Sequence, residues 1–249
     1  MGRARKPVAD VNERPKIETD PFKLAAINDV VGLKKLMDRE KNPVPVDAVD
    51  DYNCTPLIWA ARNGNIEAVK YLLERGADIE FSSYFGMRAL HHSVNNIKQD
   101  VTTLLIDNGA DVNAADDAGN TSLHWACERG VLGSVDTLLD SGASLGTANK
   151  SGATPLHKCA NEGHVACIVR LIRNGININA QDQKGNTALH LVAGNGFEVS
   201  AKFLIENGAD LMKKNKSGLV AEQLANNNPV LKHMFQNTES ESNQGAIHY

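Results

Sequence analysis

The chain has 249 residues and is 42% hydrophobic, 22% charged and 5% aromatic, enough for one or two globular domains or one elongated domain and too apolar for wholesale disorder. No uninterrupted apolar run approaches the length of a bilayer span. The formal net charge is −4, from 26 Lys and Arg against 30 Asp and Glu, the wrong balance for a protein whose main work is gripping phosphate backbones.

Residues 1–19 open with MGRARKPVAD, where Arg3, Arg5 and Lys6 form a local basic surplus. No apolar stretch follows, and Lys6 stands where a myristoylation signal needs Ser or Thr, so neither a secretory leader nor a lipid anchor is expected. This segment reads as basic and disordered. From Pro21 to Met37 the apolar spacing predicts two short helices, Pro21-Phe22-Lys23-Leu24-Ala25-Ala26 and a second ending in Leu36-Met37. A loop from Lys41 to Val49 follows.

Beyond that loop the chain repeats itself. Gly76, Gly109, Gly142, Gly175 and Gly208 stand 33 residues apart, as do Gly86, Gly119, Gly152, Gly185 and Gly218. His91, His124, His157 and His190 keep the same step. Thr55, Thr121, Thr154 and Thr187 share it too, with Arg88 in the remaining place. Such self-similarity marks a stack of identical supersecondary units. Five full units begin near Asp50, Ser83, Asp116, Asn149 and Asp182. The Asp/Asn-x-x-Gly segments 116–119, 149–152, 182–185 and 215–218 read as turns in which glycine takes positive φ freely. Thr then serves as a helix N-cap, with Pro56 and Pro155 at N1 of two units. A first short helix is broken by Gly64, Gly130, Gly163 or Gly196, and a second carries pairs such as Leu138–Leu139 before the next glycine stops it.

These residues resemble the ankyrin-repeat family. Its pattern is nearly whole in Gly152–Thr154–Pro155–Leu156–His157 with Gly163, and again in Leu104–Leu105 with Gly109–Ala110–Asp111–Val112–Asn113. The resemblance runs from about residue 20 to 235. It implies an all-α solenoid of stacked helix-turn-helix units with hairpin-like loops: a degenerate first unit, five full units and a truncated C-terminal cap, followed by a polar, disordered tail over 236–249. It also implies a protein-binding adaptor or scaffold that takes its partner on a concave face of hairpin tips and first helices. The expected chain is monomeric, non-enzymatic, without cofactor or metal, cytoplasmic or nuclear, and bound to neither membrane nor nucleic acid. Two narrower alternatives are a gankyrin-like proteasome-assembly chaperone and a nuclear regulator using Arg3, Arg5 and Lys6. The family's hairpin Asn can be hydroxylated in animals, which makes Asn113 a candidate for that modification.

The recurrent histidines invite a metal reading. Repeat stacking sets equivalent atoms about 10 Å apart, whereas a zinc–nitrogen bond is roughly 2 Å, so His91, His124, His157 and His190 are expected to serve the framework, with bonds within and between units. Ile58 replaces this His in one unit and should remove the bond there. Cys127 and Cys159 fall in small-residue columns that elsewhere hold Ala61, Ala160 and Ala193 and Ala60, Ser93 and Ala126, and read as small buried residues. Cys54 reads as a hairpin residue open to solvent. No phosphate-binding loop or nucleophile–base pair is apparent.

Function then falls to the positions that the framework leaves free. Five of the chain's twelve aromatics, Tyr52, Trp59, Tyr84, Phe85 and Trp125, occupy such positions in the second to fourth units. With Arg62, Met87, His92 and Arg129 they make the expected partner-binding set, since aromatics and Arg are the usual interface anchors. The third unit departs furthest from pattern: Arg88 replaces the Thr cap, and Ile97 stands where the glycine breaks the helices elsewhere. A β-branched residue resists positive φ, so a negative φ is expected at Ile97.

Overall fold

The computed structural model describes residues 19–225 and 228–244. Seven helix pairs follow one another: α1 (Pro21–Ala26) and α2 (Val30–Met37), α3 (Pro56–Asn63) and α4 (Ile66–Glu74), α5 (Ala89–Asn95) and α6 (Gln99–Asp107), α7 (Ser122–Arg129) and α8 (Leu132–Asp140), α9 (Pro155–Glu162) and α10 (Val165–Arg173), α11 (Ala188–Asn195) and α12 (Glu198–Glu206), α13 (Ala221–Leu224) and α14 (Pro229–Gln244). The first helices of successive pairs pack in one layer and the second helices in another. The first-helix layer is the tighter, because Ala60, Ala61, Ala126, Cys127, Cys159 and Ala160 at its contacts are small and fully buried. Leu57, Leu72, Leu123, Leu138, Leu156 and Ile168, none more than 1% exposed, fill the space between the layers.

The histidine column is the bolt between units. In each of three units Nδ1 accepts the backbone N–H of the Thr three residues earlier and lies 2.8–3.0 Å from that Thr hydroxyl. Nε2 then donates to a carbonyl of the next unit: His124 to Ala153 at 3.1 Å, His157 to Asn186 at 3.0 Å and His190 to Leu219 at 3.0 Å. His91 reaches Ala114 instead, at 3.0 Å, while accepting the Arg88 N–H. The Thr hydroxyl therefore faces His rather than the helix backbone. Only Thr55, whose unit has Ile58 in the His place, turns its oxygen to the helix and accepts the Ile58 N–H at 3.3 Å. The Met87 carbonyl that a histidine at 58 would reach takes the Ser83 hydroxyl at 2.9 Å.

Two expectations need correction. Ile97 has φ +60°. The short connection between α5 and α6 needs a left-handed residue at that place, and the packing of two helices imposes it on an unsuitable side chain. Cys54 is only 6% exposed, because its side chain turns inward beneath the tip. The ends differ as well. The final helix runs through Gln244, past residue 235 and into the segment read as a disordered tail. Asn228 starts it by accepting the N–H groups of Val230 and Leu231, and buried Leu231 and Phe235 fix it to the stack. Residues 1–18 and 245–249, on which the remaining terminal expectations fall, lie outside the described residues.

Candidate partner-binding face

The hairpin tips are tied to one another in a row. Tyr84 N–H donates to the Tyr52 carbonyl at 3.1 Å, and the same bond recurs from Asp117 to Phe85, Lys150 to Ala118, Gln183 to Ser151 and Lys216 to Lys184, each at 2.9 Å. Each tip is also braced from within. The Asp or Asn that opens the turn accepts two backbone N–H groups: Asp116 from Ala118 and Asn120, Asn149 from Ser151 and Ala153, Asp182 from Lys184 and Asn186. Asp50 does the same for Tyr52 and Cys54. The tips are thus a rigid, ordered row, and their outward side chains are free for recognition.

Ser83 is the exception. Its hydroxyl is too short to brace the turn, and it bonds the Met87 carbonyl at 2.9 Å and lies 3.1 Å from His92 Nε2. Without the brace, the turn keeps the closing bond of its neighbours, Gly86 N–H to the Ser83 carbonyl at 3.1 Å, but Phe85 adopts φ +68°. None of the equivalent residues Tyr52, Ala118, Ser151, Lys184 and Ser217 has positive φ. Strain of this kind, of order 1–3 kcal/mol, gathers where surrounding structure holds a side chain for a purpose. Here it thrusts an aromatic ring into solvent, 78% exposed.

Tyr52, Cys54, Trp59, Arg62, Ser83, Tyr84, Phe85, Met87 and His92 line one groove of about 410 Å³. Seven of the nine expected partner-binding residues meet there; Trp125 and Arg129 do not. Tyr52 and Tyr84 are 68% and 58% exposed, so the walls are aromatic and wet. Trp59 is the floor. Its indole N–H donates to Asp50 Oδ2 at 2.7 Å, and Arg62 lies 5.3 Å over its ring. Trp125 repeats the first contact with Asp116 at 3.1 Å, and Arg129 donates to Asn95 Oδ1 at 2.8 Å, so both are tied into the scaffold one unit further on. Ser83 belongs to the groove and was missed. The signal was present in the sequence: it is the one turn opener that is neither Asp nor Asn.

His92 stays neutral. Burial lowers its pKa to about 4, helped by the Arg62 cation. Burial raises the Cys54 thiol, and Asp50 raises it further, so it is not an activated nucleophile. Among the described residues, no group of three or more His, Cys, Asp or Glu side chains is placed to hold a metal ion. Asn113 lies in a loop contact rather than a groove: its amide donates to the Gly142 carbonyl at 3.2 Å and its oxygen accepts the Ser144 N–H at 2.8 Å.

A family model described as ankyrin repeats, three copies, matches residues 7–83, 80–149 and 132–215. The chain belongs to the ankyrin-repeat family. Ankyrin repeats are protein-interaction modules, and a protein-binding role follows for this array. A 46-residue stretch is 48% identical to palmitoyltransferase AKR1 of Lachancea kluyveri and covers 18% of this chain and 6% of that one. A 77-residue stretch is 32% identical to transient receptor potential cation channel subfamily A member 1 of Homo sapiens, covering 31% and 7%. The chain thus spans less than a tenth of either relative. The ankyrin repeat domain of human ASB11 superposes with a TM-score of 0.78 over 89% of this chain and 98% of that domain, at 22% identity, a likeness of fold.

Proposed function

We propose that this protein is a non-enzymatic adaptor that captures a partner protein on the face made by its hairpin tips and first helices, with the Tyr52–His92 groove as the anchor site. The carrying observation is the contrast within that face. The recurrent Thr, His and Asx side chains are committed to bonds inside the array, while Tyr52, Tyr84 and Phe85 stand 58–78% exposed around one groove. Exposed aromatics have a hydration cost that a partner's apolar side chain relieves, and a rigid platform adds little ordering cost on binding. Reduced, buried thiols at Cys127, Cys159 and Cys167 suit the cytoplasm or nucleus as its place of work.

Site-specific photo-crosslinking in cells tests this reading. A benzophenone amino acid at position 85 should give discrete adducts with another protein. The same probe at Val199, which is exposed on a second helix, should give none of them. Adducts at Val199 alone would place the interaction elsewhere.

A further inference from the structure

The hairpin row carries a charge gradient. The first three hairpins, 45–54, 78–87 and 111–120, hold eight carboxylates and no Lys or Arg. The last three, 144–153, 177–186 and 210–219, hold Asp182 and Asp210 against Lys150, Lys184, Lys213, Lys214 and Lys216. Asp182 and Asp210 accept N–H groups of their own turns, as Asp50, Asp78, Asp111 and Asp116 do in the first three hairpins, where Glu80 is paired with Arg88 at 3.0 Å. Lys150, Lys184, Lys214 and Lys216 are exposed, and no carboxylate among the described residues pairs with them. Lys158, by contrast, is neutralised by Glu128 at 2.7 Å. The aromatic tip lies inside the acidic half, one acidic tip short of the first lysine: along the outermost column the order is Asp51, Tyr84, Asp117, Lys150, Gln183, Lys216.

We infer that the partner presents an extended segment with an apolar anchor and an acidic run to one side of it, the anchor seated in the Tyr52–Phe85 groove and the acidic run laid over Lys150, Lys184 and Lys216. This inference deepens the proposed function and rests on it. Attraction at the lysine tips and repulsion at the acidic ones fix the direction in which the segment lies, and charge complementarity of this kind sets orientation and on-rate more than total affinity. Units repeat about every 10 Å. The step from Phe85 to Lys150 is therefore about 20 Å, or roughly six residues of extended chain, and that to Lys216 about 40 Å, or roughly twelve. A nucleic acid fits less well. A base stacked on Tyr84 or Phe85 would bring its flanking phosphates against Asp51 and Asp117, on either side of the aromatic tip.

A phage-displayed library of random 16-residue peptides, selected on the full-length protein at low salt, tests the inference. The enriched peptides should share an aromatic or aliphatic residue with Asp or Glu six to twelve positions to one side. Their binding should fall about tenfold or more in Lys150→Glu/Lys184→Glu/Lys216→Glu, and similarly in Tyr84→Ala/Phe85→Ala. All five side chains are exposed, so both variants should keep the wild-type melting temperature. Peptides that need Tyr84 and Phe85 but show no acidic bias and ignore the lysine reversals would overturn this inference and leave the adaptor reading standing. Peptides indifferent to both variants, or no enrichment at all, would overturn both. A single-stranded RNA probe that binds more tightly than the selected peptides and is lost on lysine reversal would replace the acidic segment with a phosphate backbone.

Discussion

The Ser83 hydroxyl and the His92 imidazole meet at 3.1 Å, in the places where Asp50 and Trp59, and again Asp116 and Trp125, hold each other at 2.7 and 3.1 Å. Three neighbouring units thus share one brace between the turn and the first helix, and the middle copy is made of shorter, weaker parts. A smaller ring on the helix leaves the groove open above it, and a shorter opener leaves the turn unbraced where Phe85 takes its left-handed φ. The anchor site is a local loosening of the repeat, flanked on both sides by intact copies.

Acid should weaken the array before its carboxylates titrate. Burial lowers His92 and His124 to about 4 and lowers His91 and His157 in the same direction. In His91, His124 and His157 a proton on Nδ1 would also face the N–H that this nitrogen accepts. At His92 and His124 the unfolded chain takes up protons near pH 6.5 and the folded chain does not until about 4. Stability is therefore fully present above about pH 6.5, falls as pH drops toward 4, and levels off below. His124 alone contributes about 3 kcal/mol to that loss. Urea midpoints measured from pH 7.5 to 4.5 should decline steadily; a flat profile from 7 to 5 would contradict the neutral histidine bolts.

Ile97→Gly should stabilise the protein. The side chain is 57% exposed and supports little packing, while its left-handed backbone costs about 1–2 kcal/mol. Offset by the extra freedom of an unfolded glycine, the net gain should be about 0.5–1 kcal/mol, read as a higher denaturant midpoint with an unchanged slope. A loss of stability would mean that the isoleucine makes a contact worth more than its strain.

The framework and the face should respond oppositely to truncation. His157→Ala removes the acceptor for the Thr154 N–H and the donor to Asn186, both at a buried site, and should destabilise by about 3 kcal/mol. Tyr84→Ala should change stability by no more than about 0.5 kcal/mol. Equal losses in thermal melts of the two variants would show that the tyrosine also serves the stack.

The stacking was legible because it is periodic. A residue that recurs every 33 positions must do the same job each time, and the Thr, His and Gly columns announce the units before any coordinate is known. The aromatic concentration at Tyr52, Trp59, Tyr84 and Phe85 was legible for the opposite reason, as a departure from the columns. Position-specific context was not. Ile97 takes the glycine's conformation because the distance between two packed helices outweighs a side-chain preference, and a single sequence does not show that distance. Cys54 turns inward because its hairpin is braced by Asp50. Ser83 hid in plain sight: Ser is an ordinary turn residue, and its effect emerges only once Asp50 and Asp116 are seen bracing the neighbouring turns.

Affinity purification with mass spectrometry, comparing wild type with Tyr84→Ala/Phe85→Ala at matched expression and matched melting temperature, tests the account most directly. It should show proteins recovered with wild type and depleted at least about tenfold with the variant. Recovery of the same proteins in the same amounts would show that the groove at the third unit is not where this array meets its partner.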